Sequence, residues 1–304
     1  MNILIAGASG FIGKQLVTAL QSAHQVTVLG RDLATLQRLF PASVNQVTWE
    51  NLPQLSAASY DVVMNLSGYN IADSRWNRQV KDKIIRSRVD TTTALVDWII
   101  QHNAKPRLFC ANAVGIYGMQ DNGDGDEFDE NSPIDFAHPQ DFMSEIGIRW
   151  QQALQPAMDQ GIQVTTMRFG VVLGRGEGVL KKLVPSFYLG LGSLLGDGLQ
   201  IMSWVHIDDV VGAILFLLNR PELTGAFNVT SPSPVSQAEF ARTLAAVMHR
   251  PLFLKMPVVV VRMLFGEMGD CLLLRGQRVV PNRLRGAGYD FRYPVLADAL
   301  HSLV

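Results

Sequence analysis

Two cysteines in 304 residues cannot frame a disulfide-stapled fold, and Cys110 and Cys271 each sit in an apolar run. Buried thiols in a reducing compartment are expected, ahead of a disulfide or a nucleophile. Neither sign of charge is in excess: 26 Lys and Arg stand against 27 Asp and Glu, a net charge of −1. That balance excludes the basic stripe of a nucleic-acid binder and the polybasic patch of a membrane-surface protein. Apolar runs such as residues 257–261 are too short to cross a bilayer. Met1 leads straight into Ile3-Leu4-Ile5-Ala6 with no basic segment, so no signal peptide is expected and the cytoplasm is the expected location. The six histidines are scattered without ligand spacing, so no metal is expected.

What the chain does have is apolar mass. It is 48% hydrophobic and 17% charged, enough to bury a large core. Its length fits one large α/β domain or two modest ones. Short apolar runs predict strands at 2–6, 25–29, 44–49, 60–66, 106–111 and 162–168. Helices are predicted between them at 11–22, 32–40, 81–102 and 141–160, with Asp32 as a cap and Pro41 as a stop. Strands alternating with helices of this length give βαβ units, a parallel sheet and a doubly wound Rossmann topology. After about residue 170 the pattern loosens. Further helices are predicted at 208–218, 236–248 and 258–266, with a strand at 227–230. The expectation is a dinucleotide-binding Rossmann domain over 1–170, with later strands returning to its sheet. A smaller mixed C-terminal lobe over 171–304 would stand on the substrate side.

The first strand runs into Gly7-Ala8-Ser9-Gly10-Phe11-Ile12-Gly13 and then a helix. In a Gly-x-x-Gly-x-x-Gly turn the first glycine allows tight backbone, the second lets it approach a pyrophosphate, and the third lets helix and strand pack closely. Free N–H groups and the dipole at the helix start favour an anion there. A tight turn without ligand is the competing reading, and the strand before with the helix after argues against it. The cofactor's ribose is read at the end of the second strand, Leu29-Gly30-Arg31-Asp32. Arg31 there favours the 2′-phosphate of NADP(H); Asp32 is the competing residue, for NAD(H), though it also fits a helix cap.

These residues carry a resemblance. Gly7-x-x-Gly10-x-x-Gly13, Asn65-Leu66-Ser67-Gly68, Ala113-Val114-Gly115-Ile116-Tyr117-Gly118 and Trp204-Val205-His206-Ile207-Asp208-Asp209 resemble the extended short-chain dehydrogenase/reductase superfamily. Arg75-Trp76, Ser87-Arg88, the run from Arg168 to Gly174, Gly276-Gln277-Arg278-Val279 and the run from Gly288 to Pro294 narrow it to an atypical branch, the epimerase family proteins. The resemblance covers nearly the whole chain and implies NADP(H) binding. It places Ser9, Gly10, Phe11 and Ile12 on the pyrophosphate, and Gly30 and Arg31 at the adenosine phosphate. It places Leu66, Ser67 and Gly68 along the adenine–ribose side, with Arg88 and Val172 approaching the cofactor.

The usual chemistry of that superfamily is missing. It uses Tyr-x-x-x-Lys, where the Lys lowers the Tyr pKa so that the phenol can pass a proton. None of Tyr60, Tyr69, Tyr117, Tyr188, Tyr289 and Tyr293 has Lys four residues on. The segment expected to hold the pair reads Asp141-Phe142-Met143-Ser144-Glu145-Ile146-Gly147, and Asn112 stands near the usual Ser. Asn112 could hydrogen-bond a carbonyl. Glu145 could donate a proton if buried with a raised pKa, against the blander reading of a solvated helical carboxylate. Tyr117 could donate too, or be a packed ring with a satisfied hydroxyl. Two function classes stay open: an oxidoreductase or epimerase of a small carbonyl or sugar-like substrate, and a non-catalytic NADP(H) sensor. No nucleic-acid or membrane partner is expected, and a homo-oligomer is compatible with the sequence.

Four remaining features have bland readings. Asp208 is expected to cap a helix, with His206 in a polar network at the sheet edge. The acidic run from Asp121 to Asp126 lacks the register of a calcium loop. Arg75 and Trp76 could meet a substrate or belong to the core. The glycines from Gly174 to Gly198 lack a P-loop ending and suggest a mobile loop over the cleft.

Overall fold

The computed structural model describes residues 1–121 and 125–304. Its centre is a seven-stranded sheet, built from β1 (Asn2–Ala6), β2 (Gln25–Gly30), β3 (Asn45–Thr48), β4 (Val62–Asn65), β5 (Arg107–Ala113), β6 (Val164–Phe169) and the strand Gly225–Val229. Every pairing is parallel, in the order β3-β2-β1-β4-β5-β6 and then Gly225–Val229. Parallel strands need crossovers, and α1 (Phe11–Leu20), α2 (Leu33–Leu39), α3 (Arg78–Gln101) and α4 (Phe142–Gln152) supply them.

Alternate strand residues feed two cores. Ile3, Ile5, Val28, Met64 and Phe109 face α1, α2 and the helix Ile207–Leu218. Leu4, Leu29, Val63, Leu108 and Cys110 face α3. Each such fully buried side chain contributes about 1.5–3 kcal/mol of hydrophobic stabilisation. A third core, with Leu173, Phe187, Trp204, Phe240 and Leu300, holds the smaller lobe together. Small sheets of two or three strands complete that lobe, so the doubly wound α/β class with a mixed C-terminal part is what the chain forms.

Local chemistry moved some boundaries. The helix expected over 141–160 is broken, because Pro156 has no N–H to continue it; α4 stops at Gln152 and Gln155–Asp159 restarts. Residues 174–198 are not one loop. They hold strand Glu177–Gly178, helix Leu180–Tyr188 and strand Ser193–Leu195, with Leu180 and Phe187 buried in the third core. The strand expected near 227–230 forms the outer edge of the main sheet. The calcium-loop question rests partly on residues 122–124, which lie outside the described residues.

Asp208 does not cap the helix Ile207–Leu218. His206 does, its Nδ1 accepting from Asp208 N at 3.0 Å, while its Nε2 meets Ser302 Oγ at 3.0 Å and its ring packs on Tyr293. Burial holds this imidazole below its ordinary value of 6.5, with Asp208 and Asp209 opposing. Protonation would take the Nδ1 lone pair from the helix N–H. The cap's contribution is therefore whole above pH 6.5 and lost as pH falls below it. A His206→Gln variant should lose about 1 kcal/mol at pH 8 and show a flatter stability profile between pH 7 and 5 in urea titrations.

Candidate functional site

The sheet order reverses between β1 and β4, since the chain goes outward through β2 and β3 before returning to the other side of β1. Connections leave these two strands in opposite directions, which opens a crevice at their carboxyl ends. The Gly7 turn and the Asn65–Gly68 segment both lie there. Gly7 adopts φ +79°, and a Cβ on it would stand 2.6 Å from Leu66 C and Ser67 N. A Cβ on Gly13 would be 2.6 Å from Ala8 Cα. These glycines let two loops and one helix meet backbone to backbone. Leu66 N donates to Ala6 O at 2.9 Å. Buried Asn65 fixes the turn after β4: its Oδ1 accepts from Ser67 N at 3.0 Å, and its Nδ2 donates to Thr92 Oγ1 at 2.9 Å.

The helices around the crevice differ in one respect. Asp32 caps α2, Asn77 caps α3 and Asp141 caps α4. At α1 the cap position is Gly10, so among the described residues no side chain caps its first-turn N–H groups, and no acidic residue lies in that turn. The positive end of that helix is left for something else to satisfy.

Arg88 approaches from α3. Its hydrogen bonds run through Nη1, to Ile84 O at 2.9 Å, Tyr69 O at 3.1 Å and Ser87 Oγ at 3.4 Å, and its guanidinium lies 5.1 Å from the Trp150 ring centroid. The Nε–Nη2 edge lies against Gly68, where a Cβ would come within 3.3–3.5 Å of those atoms. Among the described residues it forms no ion pair with a carboxylate. Burial brings its pKa down to about 10.

On the other flank, Arg31 is exposed past the end of β2. Asp32 is spent on its own helix: Oδ2 accepts from Thr35 N at 2.9 Å and Thr35 Oγ1 at 2.5 Å. The Thr35 hydroxyl, first among its partners, holds that carboxyl below its ordinary value. Gly30 packs on Leu36. Val172 lies in Val171–Gly174, and together with Phe11, Ile12 and Leu66 packs on the core beneath the crevice. The cofactor candidates thus line one edge. Ser9 and Gly10 lie exposed on the turn, with Ser67 and Gly68 on the facing loop.

The three catalytic candidates, Asn112 as a carbonyl partner and Tyr117 and Glu145 as proton donors, do not form a set. Asn112 is buried, donating to Gly147 O at 3.0 Å and accepting from Ala113 N at 2.8 Å. Tyr117 is a packed ring, stacked on Phe128. Its hydroxyl donates to Asn228 Oδ1 at 2.9 Å and accepts from Arg168 Nη1 at 2.7 Å, and burial pushes its pKa up. Glu145 is partly exposed and paired with Arg149 at 3.0 Å. Phe142 and Ile146, spaced as the missing Tyr and Lys would be, are buried with Ile84 in an apolar cluster that Tyr69, Trp76 and Met143 join. Arg75 donates to Met263 O at 3.3 Å, and Trp76 Nε1 donates to Ile71 O at 2.8 Å. Burial raises both thiols, Cys271 to about 11, so neither is poised as a nucleophile.

Comparison with known proteins matches residues 3–230 to the model of the NAD-dependent epimerase/dehydratase family. The chain belongs to that family. Residues 256–303 match a C-terminal domain of unknown function, DUF1731. Among relatives of this epimerase/dehydratase chain, the Arabidopsis thaliana epimerase family protein SDR39U1 homolog, chloroplastic, is 35% identical, spanning 100% of this chain and 87% of its own length. The Homo sapiens epimerase family protein SDR39U1 is 34% identical over the whole of both chains. The crystal structure of human SDR39U1 isoform 2 with NADPH superposes with TM-score 0.89 at 32% identity, covering 100% of this chain and 99% of that one.

In this epimerase/dehydratase chain one buried carboxylate, on the helix Ile207–Leu218, straps the segment around residues 289–293 to the layer over the main sheet. Buried Asp209 accepts from Arg292 N at 2.7 Å, Tyr293 N at 2.9 Å and Tyr289 OH at 3.2 Å. Sequence reading missed this strap, and it also missed the Glu130 bridge from Asn228 N to Arg283 N. Both join residues 80–153 positions apart, where no local spacing gives a signal.

Proposed function

We propose that this chain binds NADP(H) across the β1–β4 crevice and acts as an oxidoreductase or epimerase-like enzyme on a small carbonyl or sugar-like compound. The observation that carries the reading is that the uncapped start of α1 and the Nε–Nη2 edge of Arg88 both adjoin the Leu66–Gly68 loop, the first through Gly7 and the second through Gly68. A diphosphate satisfies both, accepting from helix N–H groups and from a bidentate guanidinium. Exposed Arg31, beside an Asp32 already engaged, supports the phosphorylated nucleotide over NAD(H). So does the NADPH in the human SDR39U1 structure. When bound, the nicotinamide supplies the hydride chemistry. Gly7, Ser9, Gly10, Phe11 and Ile12 would hold its diphosphate, Gly30 and Arg31 its 2′-phosphate, and Leu66, Ser67, Gly68 and Val172 would flank it.

Titrating the protein into NADPH should raise nucleotide fluorescence, with NADH at least tenfold weaker. Arg31→Ala should lose about tenfold in NADPH affinity and leave NADH unchanged, since one charge-assisted contact is worth roughly 1.5–3 kcal/mol. Equal affinities for the two nucleotides in the unaltered protein would overturn the assignment.

One observation favours a second reading, a cofactor-sensing protein without turnover. Where the superfamily's proton donor would stand, Phe142 and Ile146 are packed in apolar surroundings. Tight NADPH binding with no absorbance change at the nicotinamide band, across carbonyl compounds and nucleotide sugars, would select it.

A further inference from the structure

The hairpin formed by Val171–Gly174 and Glu177–Gly178 crosses from the smaller lobe to the start of α1. Its base is held in the lobe, where Val171–Gly174 pairs with Trp204–His206, and one side of its turn is held there too, Arg175 Nη2 donating to Ser302 O at 2.9 Å. Its tip rests on α1. The Phe11 ring fills the space that a side chain at Gly174 would need, and a Cβ on Gly178 would lie 3.5 Å from the same ring. Glu177 Oε1 pairs with Lys14 Nζ at 2.8 Å, with side-chain exposures of 36% and 38%. Phe11 opens the helix and Lys14 stands one turn on, so these two contacts frame the uncapped N–H groups. Gly176 and Gly178 take φ of +65° and +56°, and nothing lies within 4 Å of a Cβ on Gly176. The tip is slim, tied to α1 by the Phe11 ring and the ion pair and to the lobe by the Arg175–Ser302 bond.

We propose that this hairpin is a clasp over the cofactor's diphosphate, in which Glu177 is a positioning residue whose pairing with Lys14 slows the release of bound NADP(H). The proposal rests on the NADP(H) reading. For the nucleotide to leave, the Glu177 side of the tip must break its exposed ion pair to Lys14 and slide off the Phe11 ring, while Arg175 and the base stay fixed to the lobe. The sign of the effect is diagnostic. Glu177 carries a negative charge near an anionic ligand, so as a mere local charge its removal would strengthen binding and slow release. As a clasp, its removal speeds release.

The test is stopped-flow release of NADPH, chased with excess NADP+ and followed by nucleotide fluorescence. Glu177→Gln and Lys14→Met should each release about two- to fivefold faster, the scale of an exposed pair. The exchanged pair, Lys14→Glu with Glu177→Lys, should recover slow release, and 0.5 M salt should bring the unaltered protein toward the variants' rate. Thermal midpoints should stay level in all of them, separating the clasp from lost folding. Release that is unchanged or slower in Glu177→Gln, or not recovered by the exchange, overturns the clasp. If the unaltered protein shows no NADPH signal, the cofactor reading itself has failed, and this is seen before any variant is made.

Discussion

Replacing Arg88 by Met should weaken NADPH binding by about 30- to 100-fold while leaving the apo protein's thermal midpoint level within about 2 °C. The affinity term follows from removing a bidentate, charge-assisted contact to a diphosphate, roughly 2–3 kcal/mol, at tenfold per 1.4 kcal/mol. The stability term follows from the same guanidinium in the apo protein. There it is a largely buried cation with its pKa brought down to about 10 and no carboxylate partner among the described residues. Met keeps the aliphatic volume over Trp150 and sheds that desolvation cost, which offsets the lost bonds to Tyr69 O, Ile84 O and Ser87 Oγ. Arg88→Lys should fall between, because it keeps the charge without the planar fork. Isothermal calorimetry with NADPH and a thermal melt read the two terms separately. A large drop in midpoint with little change in affinity would make Arg88 a structural residue and remove the main support for the proposed crevice.

Much of the fold is legible in the sequence because its signals are local. The six strands that begin the sheet are short apolar runs, and each found a place within a few residues of its expected span. Arg31 and Asp32 show how far such reading goes. The sequence leaves them competing, and Thr35, one turn on, decides by taking the Asp32 carboxylate. What stayed hidden is non-local or masked by a contrary cue. Pro185 and the flanking glycines concealed the helix Leu180–Tyr188, which forms because Leu180 and Phe187 bury in the smaller lobe. Nothing near Lys14 announces Glu177, 163 positions away. Tyr117 could be offered as a proton donor, and Asn112 as a carbonyl's partner, only until their own partners were visible. Gly147 O and Ala113 N use one side chain, while Arg168 and Asn228 use the other.

Two glycines of one turn should fail in opposite ways when changed to Ala. Gly7 holds φ +79°, and a Cβ there would sit 2.6–2.7 Å from Leu66 C, Leu66 O and Ser67 N, all backbone atoms that cannot rotate away. Left-handed strain costs an L-residue about 1–2 kcal/mol, and the overlap forces β1's end and β4's end apart in addition. Gly7→Ala should therefore lose roughly 3–5 kcal/mol, an appreciable part of a stability near 5–15 kcal/mol, and bind no NADPH. Gly10 has φ −75°, open to any residue, and a Cβ would meet only Gly7 O at 3.2 Å. Gly10→Ala should melt within about 2 °C of the parent. Yet it places a methyl group where a diphosphate must approach the α1 N–H groups, so NADPH affinity should fall by at least tenfold. The contrast is what tests the site. Normal melting with normal affinity in Gly10→Ala would mean that the turn serves only the packing of strand against helix, and that the open helix start is not where the anion binds.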